Sequence, residues 1–337
     1  MSRAIRTALT LLALCFATQP APAGAQSKVV LRGAGATFPA PLYKKWVSEY
    51  VKAEPTVAID YRDVGSGEGT KRFLAGSVDF GASDAGLSDE ELARGAKLLP
   101  TTAGLIALAY NLPGYSAPLR LPRTVYPEIF AGRIKKWNDP RILAANPELK
   151  VGDRDITLAV RLDASGTTYA FTNHLTALTK GWRADTLVGW PGRAMLARGN
   201  EGVAAAVQRN AWTIGYVEYG YAKRLGLKAA LLENKEGKFV EPSAASGEAT
   251  IASNLNEVPA SLRVFMPDPA GEGSYPMIAL TWLLVRERYD DPAKAEAIRR
   301  FAEWALTAGQ PYSGELGFVP LPQGLIERAR AVAREIR

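Results

Sequence analysis

RLDASGTT, residues 161–168, joins two kinds of hydrophobic pattern. Before it, Ile156, Leu158 and Val160 alternate as in a half-buried strand, and after it an apolar segment at helical spacing runs on from Tyr169. The eight residues therefore predict a strand-to-helix loop. At a helix start the first backbone N–H groups have no intrahelical partner, and the helix dipole favours negative charge beside them. Ser165, Gly166, Thr167 and Thr168 would offer amides and hydroxyls to an anion there, with Arg161 adding a fixed positive charge. A plainer reading stands beside this one: Asp163 or Ser165 merely caps the helix, and Arg161 pairs with a carboxylate at the surface.

Similar turns recur upstream. Val29–Leu31 reads as a short strand leading into GAGATFPAP, residues 33–41. Its glycines allow tight turns, Pro39 and Pro41 suit a first helical turn, and Leu42, Trp46 and Tyr50 then repeat at helical spacing. Val57, Ile59 and Tyr61 alternate as a strand that runs into VGSGEGTKRFLAG from Val64, with Ser66 at the turn. Val78 to Ala82 reads as a buried strand ending at Ser83 and Asp84, and Ser88 with Glu91 has the spacing of a capping box for a helix through Leu92.

Downstream, Leu105 to Tyr110 is a strand leading out of this region, and Pro113, Pro118 and Pro122 interrupt regular structure. Thr124 to Trp137 reads as helical, with Phe130 and Trp137 in the core. Asn200 is expected to cap a helix through Val207, Ile214 to Val217 to form a strand, and Tyr219 to Leu225 a short helix. Met277 to Val285 reads as a long strand, Pro292 opens a helix carrying Ile298, Phe301 and Ala305 inward, and Leu325 to Ile336 is a terminal helix. Alternating strands and helices imply an α/β fold with parallel sheets flanked by helices, where ligands bind at the carboxyl ends of strands. Periodicity alone draws one domain boundary, near Pro113.

Residues 1–25 carry Arg3 and Arg6, an apolar run from Ala8 to Ala17 and then Ala23-Gly24-Ala25, the pattern of a cleavable signal peptide with a run too short to span a bilayer. Cys15 is the only cysteine, and Leu14 before it does not suit lipid attachment. Cleavage after Ala25 leaves no thiol, so neither disulfides nor cysteine chemistry supports the fold. With 337 residues, 47% of them apolar, the chain suits two domains of ordinary size. The formal charge of +7 falls by two when Arg3 and Arg6 leave. Its cations are scattered without interleaved aromatics, which argues against nucleic acid and for mild attraction of anions.

Enzyme chemistry finds little support. GSGEG at 65–69 lacks the spacing of a dinucleotide fingerprint, and no phosphate-cradling lysine motif occurs. His174 is the sole histidine, on the helix after RLDASGTT and too far along it to activate Ser165, so it reads as a surface or packed residue and no zinc site is expected. No catalytic residue, metal or cofactor is expected. What remains is four turns rich in amides and hydroxyls, one arginine, and Asp84 and Asp163. An aspartate beside an anion is repulsive unless the anion carries a proton; Asp84 would then accept a hydrogen bond from a protonated phosphate oxygen, whereas fully ionised sulfate has none to give. Asp163 would orient Arg161.

The stretches GAGATFPAP at 33–41, VGSGEGTKRFLAGSVDFGASDAGLSDEEL at 64–92, RLDASGTTYAFTNHL at 161–175 and GYVEYGYAK at 215–223 closely resemble the periplasmic phosphate-binding proteins of bacterial high-affinity phosphate ABC transporters. The resemblance spans nearly the whole chain after the signal segment. It implies a two-lobed class II periplasmic binding-protein fold, each lobe a mostly parallel sheet flanked by helices, with the ligand in the interlobe cleft. It further implies discontinuous lobes, the first from 26–103 plus 272–337 and the second from 104–271. Carried over by motif, Thr37 and Phe38 would give amides and a hydroxyl, Ser66 a hydroxyl, Asp84 the acceptor, Arg161 the charge held by Asp163, and Ser165, Gly166 and Thr167 the rest of the cradle. The implied partners are inorganic phosphate and the permease subunits of an inner-membrane importer with its cytoplasmic ATPase, served by a periplasmic monomer. Rival readings are a secreted phosphatase-like enzyme and a receptor for another oxyanion such as sulfate or arsenate. Two departures stand out: Glu68 occupies a turn that is usually free of carboxylates and is expected to face solvent, and Ala164 replaces a glycine, which is tolerable if it needs no positive φ.

Overall fold

The computed structural model describes residues 28–337 apart from 193, 256 and 257, so the expected signal segment with Cys15 lies outside the described residues. One long mixed sheet organises the molecule. In spatial order it runs Val57–Arg62, Val29–Gly35, Phe80–Ser83, Ile278–Arg286, Ala96–Asn111, Thr213–Glu218, Thr157–Arg161 and Ala194–Ala197, with Lys228–Ala229 pairing on the side of Ala96–Asn111. The first three strands are mutually parallel, as are Thr213–Glu218, Thr157–Arg161 and Ala194–Ala197. Antiparallel pairing is confined to the middle, where the long strand Ala96–Asn111 and the returning strand Ile278–Arg286 lie.

The long strand joins the two lobes. Its residues from Ala96 to Leu105 pair with Ile278–Arg286, and from Ile106 to Asn111 it pairs instead with Thr213–Glu218. A single 16-residue strand thus serves both halves of the sheet, where the sequence shows a strand only from Leu105 to Tyr110. Its first part contains Pro100 and two threonines, which hide the pattern. Every one of its residues from Leu98 to Tyr110 is buried, the signature of a strand covered on both faces.

Helices cover the sheet through single apolar faces. In Ala40–Ala53, Leu42, Tyr43, Trp46 and Tyr50 are buried; Pro41 falls in the first turn as expected, and Pro39 sits at the cap just before it. Tyr50 packs edge-on against Phe301 at 5.2 Å, and Trp46 donates to the Gly309 carbonyl at 2.7 Å, so this first helix is pinned by the helix Pro292–Leu306 and the turn after it. A fully buried large side chain contributes about 1.5–3 kcal/mol, which makes this face, rather than helix propensity, the anchor. In the other lobe Phe171 of helix Gly166–Leu178 stacks on Tyr216 at 4.6 Å and meets Phe130 at 4.7 Å.

Some local expectations change. The helix expected over Thr124–Trp137 is only Tyr126–Phe130, because Gly132 takes a φ of +68° and turns the chain; Phe130 and Trp137 are nonetheless fully buried. Asn200 does not cap its helix, which spans Gly199–Arg209 and starts after Arg198. The weakly patterned stretch 235–252 contains part of a capped helix, Ala244–Asn254.

Candidate functional site

The parallel strands of both lobes end at one place. Beyond Gly35 come Thr37 and Phe38, beyond Arg62 comes Ser66, and beyond Ser83 comes Asp84; from the other side, Arg161 ends its strand and Gly199 and Asn200 follow Ala197. Bonds cross directly between the two sets. The Gly67 N–H donates to the Ala164 carbonyl at 3.0 Å, and the Tyr221 hydroxyl to the Thr37 carbonyl at 2.6 Å. The lobes are therefore together. Thr37, Phe38, Ser66, Asp84, Arg161, Ser165 and Thr167 are all buried, between 0% and 7% exposed.

The capping half of the plainer reading of RLDASGTT holds, and its surface ion pair does not. Ser165 Oγ accepts from the Thr168 N–H at 3.1 Å and is the cap of helix Gly166–Leu178. That leaves Asp163 free for Arg161: Arg161 Nε donates to Asp163 Oδ1 at 2.9 Å and Nη2 to Oδ2, a two-pronged pair whose side chains are only 2% and 9% exposed. The Gly199 N–H adds a third bond to Asp163 Oδ1 at 3.0 Å. Burial of the Asp163 carboxyl works to raise its pKa, but the Arg161 guanidinium and the Gly199 amide more than offset this and hold it below the ordinary carboxylate range. Arg161 is thus not the surface cation of the plainer reading but an oriented, buried one.

Asp84 is the opposite case. Burial pushes its carboxyl up to about 7, against the pull of the Thr281 hydroxyl, the Arg161 charge and the Ser66 and Thr167 hydroxyls. Thr281 donates to Asp84 Oδ1 at 2.8 Å, and the Asp84 N–H donates to Ser66 Oγ at 3.4 Å. The other carboxylate oxygen faces the opposite lobe. A β-carbon on Gly166 would sit 2.6 Å from both Asp84 Oδ2 and Ser66 Oγ, so only a glycine lets this helix terminus approach. The amides of Gly166 and Thr167 open that helix and have no intrahelical partner, as do those at the start of helix Ser66–Leu74. The arrangement is a buried cluster of donors with one cation and one carboxyl able to hold or give a proton. An oxyanion that carries a proton suits it.

Glu68 turns away from the site, its carboxylate paired with Arg72 at 2.7 Å and its side chain 42% exposed. Ala164 takes no positive φ, since Trp212 and Leu262 are the non-glycine residues that do among those described, and its methyl lies against Gly67. A cleft of about 770 Å³ opens beside the cradle, lined by Thr37, Glu68, Lys71, Arg198 and Glu201 among others; the buried Asp84, Arg161 and Ser165 do not line it. His174 is packed rather than exposed, bonded to the Tyr126 hydroxyl at 2.7 Å and to the Pro267 carbonyl at 2.5 Å. No cluster of potential metal ligands occurs among the described residues, and no described helix is long and apolar enough to cross a membrane.

Two residues escaped the sequence reading. Asn200, fully buried, contacts Thr37 and Thr167. Thr281 reaches Asp84 from a strand distant in sequence. Asn200 shows a polar residue in a helical first turn, which reads as a cap, and Thr281 shows nothing local at all.

The PBP superfamily domain matches residues 18–308. The chain is 38% identical over 327 residues to the phosphate-binding protein PstS of Pasteurella multocida, covering 95% of this chain and 94% of that protein. It is 36% identical over 306 residues to the phosphate-binding protein PstS of Haemophilus influenzae, covering 89% and 91%. A solved high-affinity periplasmic phosphate-binding protein, PfluDING bound with phosphate, superposes with a TM-score of 0.75 at 24% identity over 90% of this chain and 93% of its own, a likeness of fold. The family model and the relatives agree: the chain belongs to the PBP superfamily and, within it, to the family of phosphate-binding proteins named PstS.

Proposed function

We propose that this protein binds inorganic phosphate between its two lobes in the periplasm and delivers it to the permease subunits of an inner-membrane ABC importer, whose cytoplasmic ATPase drives uptake. The lobes comprise 26–103 with 272–337, and 104–271, meeting along Ala96–Asn111. The protein acts as a monomer after removal of residues 1–25, and it binds without catalysis. Thr37, Phe38, Ser66, Asp84, Arg161, Ser165, Gly166 and Thr167 hold the anion, with Asp163 holding Arg161.

The observation that carries this reading is Asp84: ionised above about pH 7, a fully buried carboxylate set among donors is an obstacle to an anion that lacks a proton, and a partner for one that has it. The names of the relatives point to the same ligand. Lobes that enclose the anion give the importer a shape to recognise. Titration calorimetry with phosphate and sulfate at pH 8 tests it. Phosphate binds and sulfate does not; equal affinities would sink the assignment.

A further inference from the structure

Asn200 lies one residue into helix Gly199–Arg209 and engages its backbone N–H, both side-chain N–H groups and its Oδ1 inside the closed site. Its backbone N–H donates to Thr37 Oγ1 at 3.1 Å, and its side-chain Nδ2 donates to Thr37 Oγ1 at 3.0 Å and to Thr167 Oγ1 at 3.2 Å. Its Oδ1 accepts from the Glu218 N–H at 2.9 Å. This last bond sets the amide one way round, because exchanging O and N would aim two donors at each other.

The consequence falls on the two threonines. A hydroxyl has two acceptor lone pairs and one proton. Thr37 Oγ1 accepts twice, both times from Asn200, and Thr167 Oγ1 accepts once from Asn200 and once from Arg161 Nη1 at 3.5 Å. With both lone pairs engaged, each hydroxyl can act only through its proton, which in Thr167 lies between Asp84 and the anion position. An undirected hydroxyl can present either a donor or a repulsive lone pair to an anion; these two can present only the donor. Thr37 belongs to one lobe, and Thr167, Arg161 and Asn200 to the other, so Thr167 is directed within its own lobe and Thr37 only when the lobes meet.

We infer that Asn200 is a positioning residue for anion binding, which fixes the Thr167 hydroxyl as a donor within its own lobe and the Thr37 hydroxyl as a donor on closure. The inference rests on the proposed phosphate-binding reading. It differs from a role in merely bracing Glu218, because bracing would not depend on the threonines.

A double-mutant comparison by phosphate calorimetry separates these roles. In the native background Asn200→Ala weakens phosphate about 10- to 100-fold, the worth of misdirected hydrogen bonds to a charged group. In a Thr37→Val, Thr167→Val background the same change costs less than about threefold, since no hydroxyl is left to direct. Asn200→Asp serves where the alanine variant does not fold: it keeps the shape and Oδ1 but swaps the NH₂ for an acceptor that draws the threonine protons toward itself, and it loses phosphate at least as strongly. Equal losses in both backgrounds, or none in the first, overturn the inference while leaving phosphate binding intact. A wild type that takes up no phosphate overturns the ligand assignment, and this inference with it.

Discussion

Thr281 Oγ1 donates to Asp84 Oδ1 at 2.8 Å, across 197 positions of sequence, from the step where the sheet register shifts between Thr281 and Trp282 opposite Pro100 to Thr102. Such an irregularity re-aims a side chain. Here it engages one Asp84 oxygen from within its own lobe and leaves the other toward Gly166.

Burial lifts Asp84 to about 7, and on the proposed function its protonation is what selects among anions. Below that pH the neutral carboxyl donates a proton to any oxyanion; above it, the carboxylate accepts only from a protonated one. Sulfate binding must then take up one proton, so its affinity falls about tenfold per pH unit above 7, while phosphate brings its own proton and holds. Competition titrations from pH 5.5 to 8.5 read this directly. Asp84→Asn flattens the sulfate dependence and narrows the discrimination; a sulfate affinity independent of pH in the wild type would falsify the role of Asp84.

Gly166→Ala puts a methyl 2.6 Å from Asp84 Oδ2 and Ser66 Oγ, an overlap that lobe separation relieves. The variant folds, since alanine suits a helix. Its phosphate affinity drops about 100-fold, the cost of an interlobe contact that cannot form. Small-angle scattering with saturating phosphate detects the missing compaction.

Arg161→Ala removes the buried cation and weakens phosphate at least about 100-fold, and Arg161→Lys recovers little because a lysine cannot reproduce the two-pronged pair with Asp163. Asp163→Ala leaves Arg161 buried without its partner and lowers folding stability by about 3–5 kcal/mol. Calorimetry and denaturant unfolding give the two readouts. Wild-type affinity in Arg161→Ala would mean that the anion sits elsewhere.

His174, pushed down to about 4 by burial, stays neutral in the folded protein while the unfolded chain takes up a proton below its ordinary 6.5. Its contribution is fully present above pH 6.5 and is lost as pH falls toward 4, on the order of 3 kcal/mol in all. Asp84 has the opposite sign: its raised pKa favours the folded state at low pH, and that contribution disappears as pH rises from 3.8 to about 7. Unfolding temperatures of His174→Gln and Asp84→Asn between pH 4.5 and 7.5 separate the two. The histidine variant has the shallower acid loss, and the aspartate variant no longer loses stability toward neutrality; identical slopes in all three proteins refute the assignment.

Much of the site was legible because its parts are local. Ser165 as a cap, Ser88 with Glu91 as a capping box, and Trp46 on a buried helical face each depend on residues within a turn or two. The cradle motifs were legible as a set because they repeat the same device, a strand end followed by a polar turn and a helix start. Asn200 was misread for the same reason: a polar residue in a first turn looks like a cap unless the opposite lobe is known.

The amino-acid sequence by itself determined the α/β alternation, the position of each amide-rich turn, and the identity of RLDASGTT as a strand-to-helix loop bearing one arginine. Hydrophobic period and turn chemistry act over a few residues, so they survive in the linear pattern. Only the tertiary structure decided that Arg161 is buried on Asp163, that Thr281 holds Asp84, and that Asn200 joins Thr37 to Thr167. Those contacts depend on strand order across the joining strand Ala96–Asn111, which is set by packing between segments far apart in the chain and leaves no period in the sequence.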